Sequence, residues 1–362
     1  MRRLATVLIC AALAALSCEA SDDVAAWVSS QGGRVITEGP RIIGIDLSYS
    51  WITDADLDRI SGLKDLRSLD LSFVRVTDRG IERLRSLPNI ERMNLHSAEH
   101  ITDFALTYLR EWRNLRWLDL GGTDITDIGL EIVSGFGSLE SLNVSVTQAT
   151  DNGVEFLTAL PRLRELKIGG NVMTAGALMV LRVLPQLVSL DVSGIQRRNS
   201  GVWQVSFTDL DLELFSTFER LEEMYLRGRK ITDLGMAHLA RMKNLRLLDL
   251  SETGVTSDGL ERIASLTGLQ QIGLAELKRV DDRAIPHLVR MKGLERIDLS
   301  GTAVSDAGLQ KLNGQSNLRQ LYVGGSKVSK DAAELFQKER PRVEVSWWEA
   351  LKTTAAPVPG ER

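Results

Sequence analysis

The residues of this chain best suited to chemistry lie in one five-residue stretch. His96-Ser97-Ala98-Glu99-His100 matches the pattern H-x-x-E-H letter for letter and holds two of the chain's 4 histidines. In that pattern two histidines on one helical face hold a zinc ion, and the glutamate serves as base. The chemistry depends on helical backbone, because only the helical period turns both imidazoles toward one ion. The other catalytic constellations are missing. There is no phosphate-cradling glycine loop, no nucleophile elbow and no Cys-His pair. Both cysteines, Cys10 and Cys18, lie at the extreme N-terminus, so the body has neither a disulfide framework nor a thiolate metal site.

The elements that carry HSAEH follow from a repeat. Leu115 to Leu139 reads LRWLDLGGTDITDIGLEIVSGFGSL, and Leu294 to Leu318 reads LERIDLSGTAVSDAGLQKLNGQSNL. The shared frame is L-x-x-L-x-L-x(4)-[IV]-[TS]-D-x-G-L-x-x-L-x-x-L-x-x-L. Its first position recurs at Ile42, Leu66, Ile90, Leu115, Leu139, Leu163, Leu187, Leu221, Leu245, Leu269, Leu294 and Leu318. Successive spacings are 24 residues, except for 25 after Ile90 and Leu269 and 34 after Leu187. Such a fixed period marks a stacked array in which each unit covers its neighbour's apolar flank.

Each half of the frame has its own period. L-x-x-L-x-L alternates at two, which predicts a short strand with Leu118 and Leu120 inward. Ile81, Leu84 and Leu87 then follow helical spacing. Thr126-Asp127, Thr232-Asp233 and Ser305-Asp306 supply a hydroxyl cap and a carboxylate at the helix start. A mostly small column, from Gly80 and Ala105 to Gly308, is expected to let neighbouring helices approach. A short polar column, from Ser50 and Thr123 to Ser326, is expected to satisfy backbone groups between turns.

In this register Met93 and Leu95 point inward, His96 is the last outward strand position, and Ser97 to His100 form the following turn. The two histidines then share no helical face, and no third ligand or base stands beside them. The stretch reads as a solvated polar turn, with no metal, no cofactor and no enzyme. His238 and His287 fall at one surface position of two helices. The paired glycines at 121–122, 169–170 and 324–325 recur at one repeat position and are turn glycines.

The frame resembles the leucine-rich repeat over about residues 42–342. It is similar to the helix-containing form of bacterial secreted proteins, GALA-type effectors and F-box proteins, although no repeat here carries the cysteine common in eukaryotic relatives. The resemblance implies an α/β solenoid of about twelve repeats shaped as an arc, with a parallel sheet on the concave face and helices on the convex face. Residues 21–41 are expected to cap its start, Val24, Ala25, Trp27 and Val28 forming a helix and Val35-Ile36 a strand. Residues 343–351 are expected to cap its end, with Trp347 and Trp348 as an apolar lid, and residues 352–362 form a tail.

Residues 1–20 read as an export signal, with Arg2 and Arg3 followed by the apolar run Leu4 to Leu16. Cleavage after Ala20 is one processing route. Lipidation of Cys18 is the other, since Ala15-Leu16-Ser17-Cys18 resembles a bacterial lipobox that carries alanine where leucine is usual. Both place the mature protein outside the cytoplasm, and membrane contact would come only through that lipid. The 44 Lys+Arg and 48 Asp+Glu are interspersed, with a formal net charge of −4, which gives no case for nucleic acid.

A partner would meet the outward strand residues. Their central column is Asp46, Asp70, Asn94, Asp119, Asn143, Lys167, Asp191, Tyr225, Asp249, Gly273, Asp298 and Tyr322. It reads as an acidic ribbon with aromatic breaks suited to a basic protein surface, or as solvated residues serving local hydrogen bonds. Large side chains depart from the common small ones at His96, Trp117, Glu165, Lys167, Glu223, Tyr225, Arg227 and Tyr322, and Trp, Tyr and Arg are enriched at interface hot spots. Ten extra residues between Val192 and Phe207, at about 194–206, add Arg197, Arg198 and Trp203 beside that strip. The expectation is an exported, monomeric, non-enzymatic protein-binding module that meets its partner between repeats four and eight. A spacer lipoprotein of the cell envelope is the alternative. An F-box-type ubiquitin-ligase adaptor follows only from the repeat's relatives and lacks room before Ile42.

Overall fold

The structure, a computed structural model, describes residues 22–194, 196–198 and 201–349, with the side chains of 196–198 and 201–203 outside the description. The export segment, Cys18 and the tail from 352 lie outside the described residues. The chain divides into two compact units between Ser206 and Phe207.

Unit 1 opens with a helix over 22–30 and the strand Arg34–Glu38, which pairs antiparallel with Arg41–Asp46. Parallel strands Ser68–Asp70, Arg92–Asn94, Trp117–Asp119, Ser141–Asn143, Glu165–Lys167 and Ser189–Asp191 follow in order. Among its described residues unit 2 holds six parallel strands: Glu223–Tyr225, Leu247–Asp249, Gln271–Gly273, Arg296–Asp298, Gln320–Tyr322 and Glu344–Ser346. Register is strict because the frame repeats. Ile45, Leu69, Met93, Leu118, Leu142, Leu166 and Leu190 align at the buried centre of unit 1, and Met224, Leu248, Ile272, Ile297 and Leu321 align in unit 2. Each such side chain, hidden in full, contributes roughly 1.5–3 kcal/mol.

The strands are short because the chain turns at the same frame position in every repeat. The residue seven after each frame start has positive φ. Six of these are glycines, from Gly122 to Gly325; the others are Tyr49, Phe73, Ser97, Val146, Glu252 and Glu276, with φ of 55 to 63°. A left-handed residue lets the chain leave the ladder and cross toward the helices, and non-glycine residues pay for it in sterics. One residue further on, the polar column acts mainly within its own turn. Ser50, Thr147 and Thr302 donate to the carbonyls three residues earlier at 2.6, 2.8 and 2.7 Å. Asn171 does bridge repeats, donating to Val144 O at 2.7 Å and accepting the Thr147 N–H at 2.7 Å.

The helices are short, six residues in Asp78–Arg83 and seven in Asp127–Val133, so Leu84 and Leu87 are buried just past a helix end. Thr126 and Thr232 accept the amide two residues on, at 3.2 and 3.3 Å, whereas Ser305 makes no such cap. The aspartate after each Thr has a role that the helix dipole does not capture: it accepts both the N–H and the hydroxyl of the next repeat's Thr or Ser. Asp54 binds Thr77 this way, Asp103 binds Thr126, Asp233 binds Thr256 and Asp306 binds Ser329, at 2.6 to 2.9 Å.

This clamp also accounts for the small column. A Cβ on Gly129 would come within 2.4 Å of Asp103 Oδ1, and on Gly153 within 2.4 Å of Asp127 Oδ1. The space is taken by the neighbouring helix, through the carboxylate of its first residue and the Cδ1 of Leu106 or Leu130 at 3.2 and 2.9 Å. Where no such carboxylate precedes, the Thr caps itself. Thr53 gives its N–H and hydroxyl to Asp56 at the head of unit 1, and Thr208 gives both to Asp211 at the head of unit 2. Between Ser257 and Asp281 the pair is exchanged. Serine stands in the aspartate place and aspartate in the threonine place, and the hydroxyl still reaches the carboxylate at 2.9 Å.

Candidate functional site

The outward columns are built by the same turn. Each central aspartate or asparagine accepts the amide two residues on: Asp70 from Ser72 at 2.8 Å, Asp119 from Gly121 at 2.8 Å and Asn143 from Ser145 at 2.9 Å. The frequent acidic residue is therefore first a cap for the strand exit, which is why it recurs. Amides also cross between strands. Asn94 Nδ2 donates to Asp70 at 2.8 Å, and Asn143 Nδ2 donates to both Asp119 oxygens at 2.9 Å.

HSAEH occupies the turn after the strand Arg92–Asn94, with no helix in it. The strand ends at Asn94, so His96 already stands in the turn, although its carbonyl still accepts the Phe73 amide. Its Nδ1 lies 3.2 Å from Asp119 Oδ1. That hydrogen bond raises the imidazole pKa above its usual value, against partial burial and the Lys167 charge. Glu99 and His100 are exposed. Among the described residues no three His, Cys, Asp or Glu side chains are grouped as metal ligands.

The predicted residues fall into separate groups. His96 and Trp117 sit on adjacent repeats of unit 1, and Arg92 lies over the Trp117 ring at 4.6 Å. Glu165 and Lys167 are exposed on the strand Glu165–Lys167. In unit 2, Tyr225 and Arg227 line a cleft of about 350 Å³ together with Asp249, Gly273, Arg296 and Asp298. Glu223 Oε2 is 3.4 Å from the Tyr225 hydroxyl, Arg227 is doubly bonded to Glu252 at 3.0 and 2.6 Å, and Arg296 covers Tyr322 at 4.8 Å. The insert forms an antiparallel hairpin, Gln196–Arg198 with Gly201–Trp203, and the side chains of Arg197, Arg198 and Trp203 lie outside the described residues.

One group escaped the outward-strand columns. Tyr49 and Phe73, both in left-handed turn positions, stack in parallel with ring centroids 4.4 Å apart, and His96 tilts against Phe73 at 5.4 Å. Tyr49 is 70% exposed, and nearby Trp51 is 83% exposed with Arg75 at 5.8 Å from its ring. The signal was present in the sequence: two aromatic residues stand in a column that glycine fills in half the repeats.

A family profile described as a leucine-rich repeat matches residues 113–131 and 241–264. No curated protein sequence matches the chain. Among solved structures, an internalin of Listeria monocytogenes aligns with 18% identity and a TM-score of 0.54, covering 76% of this chain and 72% of that one. A chain of the mouse RP105/MD-1 complex aligns with 18% identity and a TM-score of 0.52, covering 78% of this chain and 47% of that one. These likenesses concern the fold. No helix among the described residues is long and apolar enough to cross a membrane. The recurring strand, left-handed turn and clamped helix, together with the matching profile, give the chain the leucine-rich-repeat fold.

Proposed function

We propose that this protein is a non-enzymatic protein-binding module whose contact surface in unit 1 centres on Tyr49, Trp51 and Phe73 and extends to His96 and Trp117. The observation that carries this reading is the stacked, exposed Tyr49–Phe73 pair held at positive φ. Neither ring fills the core, and both stand in a turn column that glycine fills in half the repeats, which fits side chains kept for contact. Aromatic residues beside arginine are the types that dominate interface energetics. A chain of similar fold stands in the RP105/MD-1 complex, consistent with a protein as partner. Glu165, Lys167 and the insert's Arg197, Arg198 and Trp203 in unit 1, and separately Glu223, Tyr225, Arg227 and Tyr322 in unit 2, remain proposed contacts.

The test is a quantitative pull-down with the mature chain, followed by a Kd for the captured protein. Tyr49→Ala, Trp51→Ala and Phe73→Ala together should weaken binding by at least about 2 kcal/mol, near thirtyfold, with an unchanged circular dichroism spectrum. Full affinity in the triple variant overturns the assignment. We also propose export, on the strength of Arg2, Arg3 and the apolar run to Leu16. Mass spectrometry of the mature N-terminus reads the processing site and any lipid on Cys18.

A further inference from the structure

One residue after the frame start, opposite charges pair between neighbouring repeats. Arg116 gives two N–H groups to Glu140 Oε1 at 3.0 and 2.6 Å, Arg246 lies 3.0 Å from Glu222, and Arg319 lies 3.4 Å from Glu295. The pairing stops at Arg164, because Glu140 is committed to Arg116 and Val188 fills the next place. Arg162 departs from the frame as well. At its position Asn89, Asn244 and Asn317 each donate to a backbone carbonyl one repeat back, at 2.8 Å. Arg162 and Arg164 are exposed, and neither guanidinium makes a hydrogen bond or ion pair among the described residues. Both line one cleft of about 410 Å³ in unit 1, together with Arg116, Glu140, Pro161 and Gln186.

The repeat that holds Arg164, Leu163 to Gln186, also lacks the acids that the frame gives its neighbours. Lys167 stands in the central column where Asp119 and Asp191 stand, Ala175 in the clamp place of Asp127 and Asp151, and Met179 in the helix place of Glu131 and Glu155. Lys167 and Met179 are exposed, so burial does not require the change of charge at either. From Phe156 to Leu190 the chain carries Arg162, Arg164, Lys167 and Arg182 against Glu165 alone, although its formal net charge is −4. Uncommitted guanidiniums in a cleft and acids withdrawn from the same repeat point separately to an anion.

We propose that this cleft seats the carboxylates of an acidic segment of a partner protein. A guanidinium presents a planar fork of N–H donors that matches a carboxylate in two parallel bonds. Three guanidiniums and one carboxylate line the cleft, and that carboxylate is taken by Arg116. Lys167 follows Arg164 by three residues along the strand, about 10 Å. An extended chain with spaced carboxylates therefore meets more of these cations than one small anion does. The site takes from the proposed function only the premise that the partner is a protein, and it uses none of Tyr49, Trp51 and Phe73.

The experiment titrates the full chain with a capped Glu-Gly-Glu-Gly-Glu peptide, and with its Gln-for-Glu isostere, following backbone amide shifts by NMR at about 0.15 M salt. Saturable shifts are expected at Arg116, Arg162 and Arg164, with the uncharged peptide at least about tenfold weaker. Arg162→Gln with Arg164→Gln should also weaken binding at least about tenfold, with an unchanged circular dichroism spectrum. Val188→Glu sets a carboxylate one repeat from Arg164, as Glu140 stands from Arg116, and should weaken binding too. Arg246→Gln removes an arginine at the frame position of Arg164 that is already paired, and should change affinity less than about twofold. Absence of saturable shifts, equal binding of the uncharged peptide, or undiminished binding by the double variant overturns the proposal. So does an equal loss on Arg246→Gln, which would make the attraction diffuse, or inorganic phosphate binding as tightly as the peptide. Failure of the aromatic surface, read by removing Tyr49, Trp51 and Phe73, would leave these titrations unchanged.

Discussion

At the scale of single residues, the left-handed column separates sterics from function. Val146 is β-branched and holds φ of 59° on a turn where Gly122 and Gly170 stand one repeat to either side. A non-glycine residue there costs about 1–2 kcal/mol, partly offset by glycine's larger entropy loss on folding. Val146→Gly should therefore raise stability by about 0.5–1 kcal/mol in urea denaturation. A loss of stability would mean that the Val146 side chain contributes more than its strain. The imidazole of His96 gives a second test. Its hydrogen bond with Asp119 raises the folded-state pKa above the ordinary histidine value of 6.5. Stabilisation from the charged form is then complete below that value and is lost as pH rises through the folded pKa. Unfolding of His96→Gln should lack the decline in Tm that the natural chain shows over this interval, and the His96 ring signals should titrate above 6.5 by NMR. The turn register of HSAEH was legible because only the two-residue and helical periods were needed. The Tyr49–Phe73 stack was legible only as two aromatic residues in a column that glycine fills in half the repeats; their contact was not, because residue types in a turn do not say which way the side chains lean.

At the scale of elements, periodicity located strands and helices because apolar residues must face the stack. It said nothing about the aspartate clamp, since an aspartate at a helix start has a sufficient local explanation in the dipole. Only the fold brings Asp103 to Thr126, where it accepts at 2.9 and 2.6 Å. Asp103→Ala leaves the Thr126 amide and hydroxyl without their acceptor and should cost about 2–3 kcal/mol in urea denaturation. The exchanged pair makes a sharper case. Ser257→Asp opposes two carboxylates across the contact with Asp281 and should destabilise by about 2 kcal/mol or more. Adding Asp281→Thr recreates the ordinary clamp and should recover most of the loss, giving a coupling of about 2 kcal/mol in a double-mutant cycle. Additive effects of the two substitutions would mean that the serine and aspartate are not an exchanged clamp.

At the scale of the molecule, a coil of repeats is held only by its neighbours, so an uncovered end weakens what lies next to it and little beyond. Among the described residues of unit 2 the strand Glu344–Ser346 is the last rung, beside Gln320–Tyr322. Trp347 fastens it by donating Nε1 to Val328 O at 2.8 Å, and the Trp348 ring packs over Gly324, where even a Cβ would collide with it. Behind this lid, Leu321, Val323, Val328 and Phe336 are buried. Trp347→Ala removes the hydrogen bond and a half-buried indole, and should cost about 2–3 kcal/mol. Nearest-neighbour coupling sets where that loss appears. Amide exchange should rise first at Glu344–Ser346 and Gln320–Tyr322, less at Arg296–Asp298, and hardly at Glu223–Tyr225. An equal rise along all six strands would contradict a linear array and make unit 2 a single cooperative block, in which the lid stabilises every repeat alike.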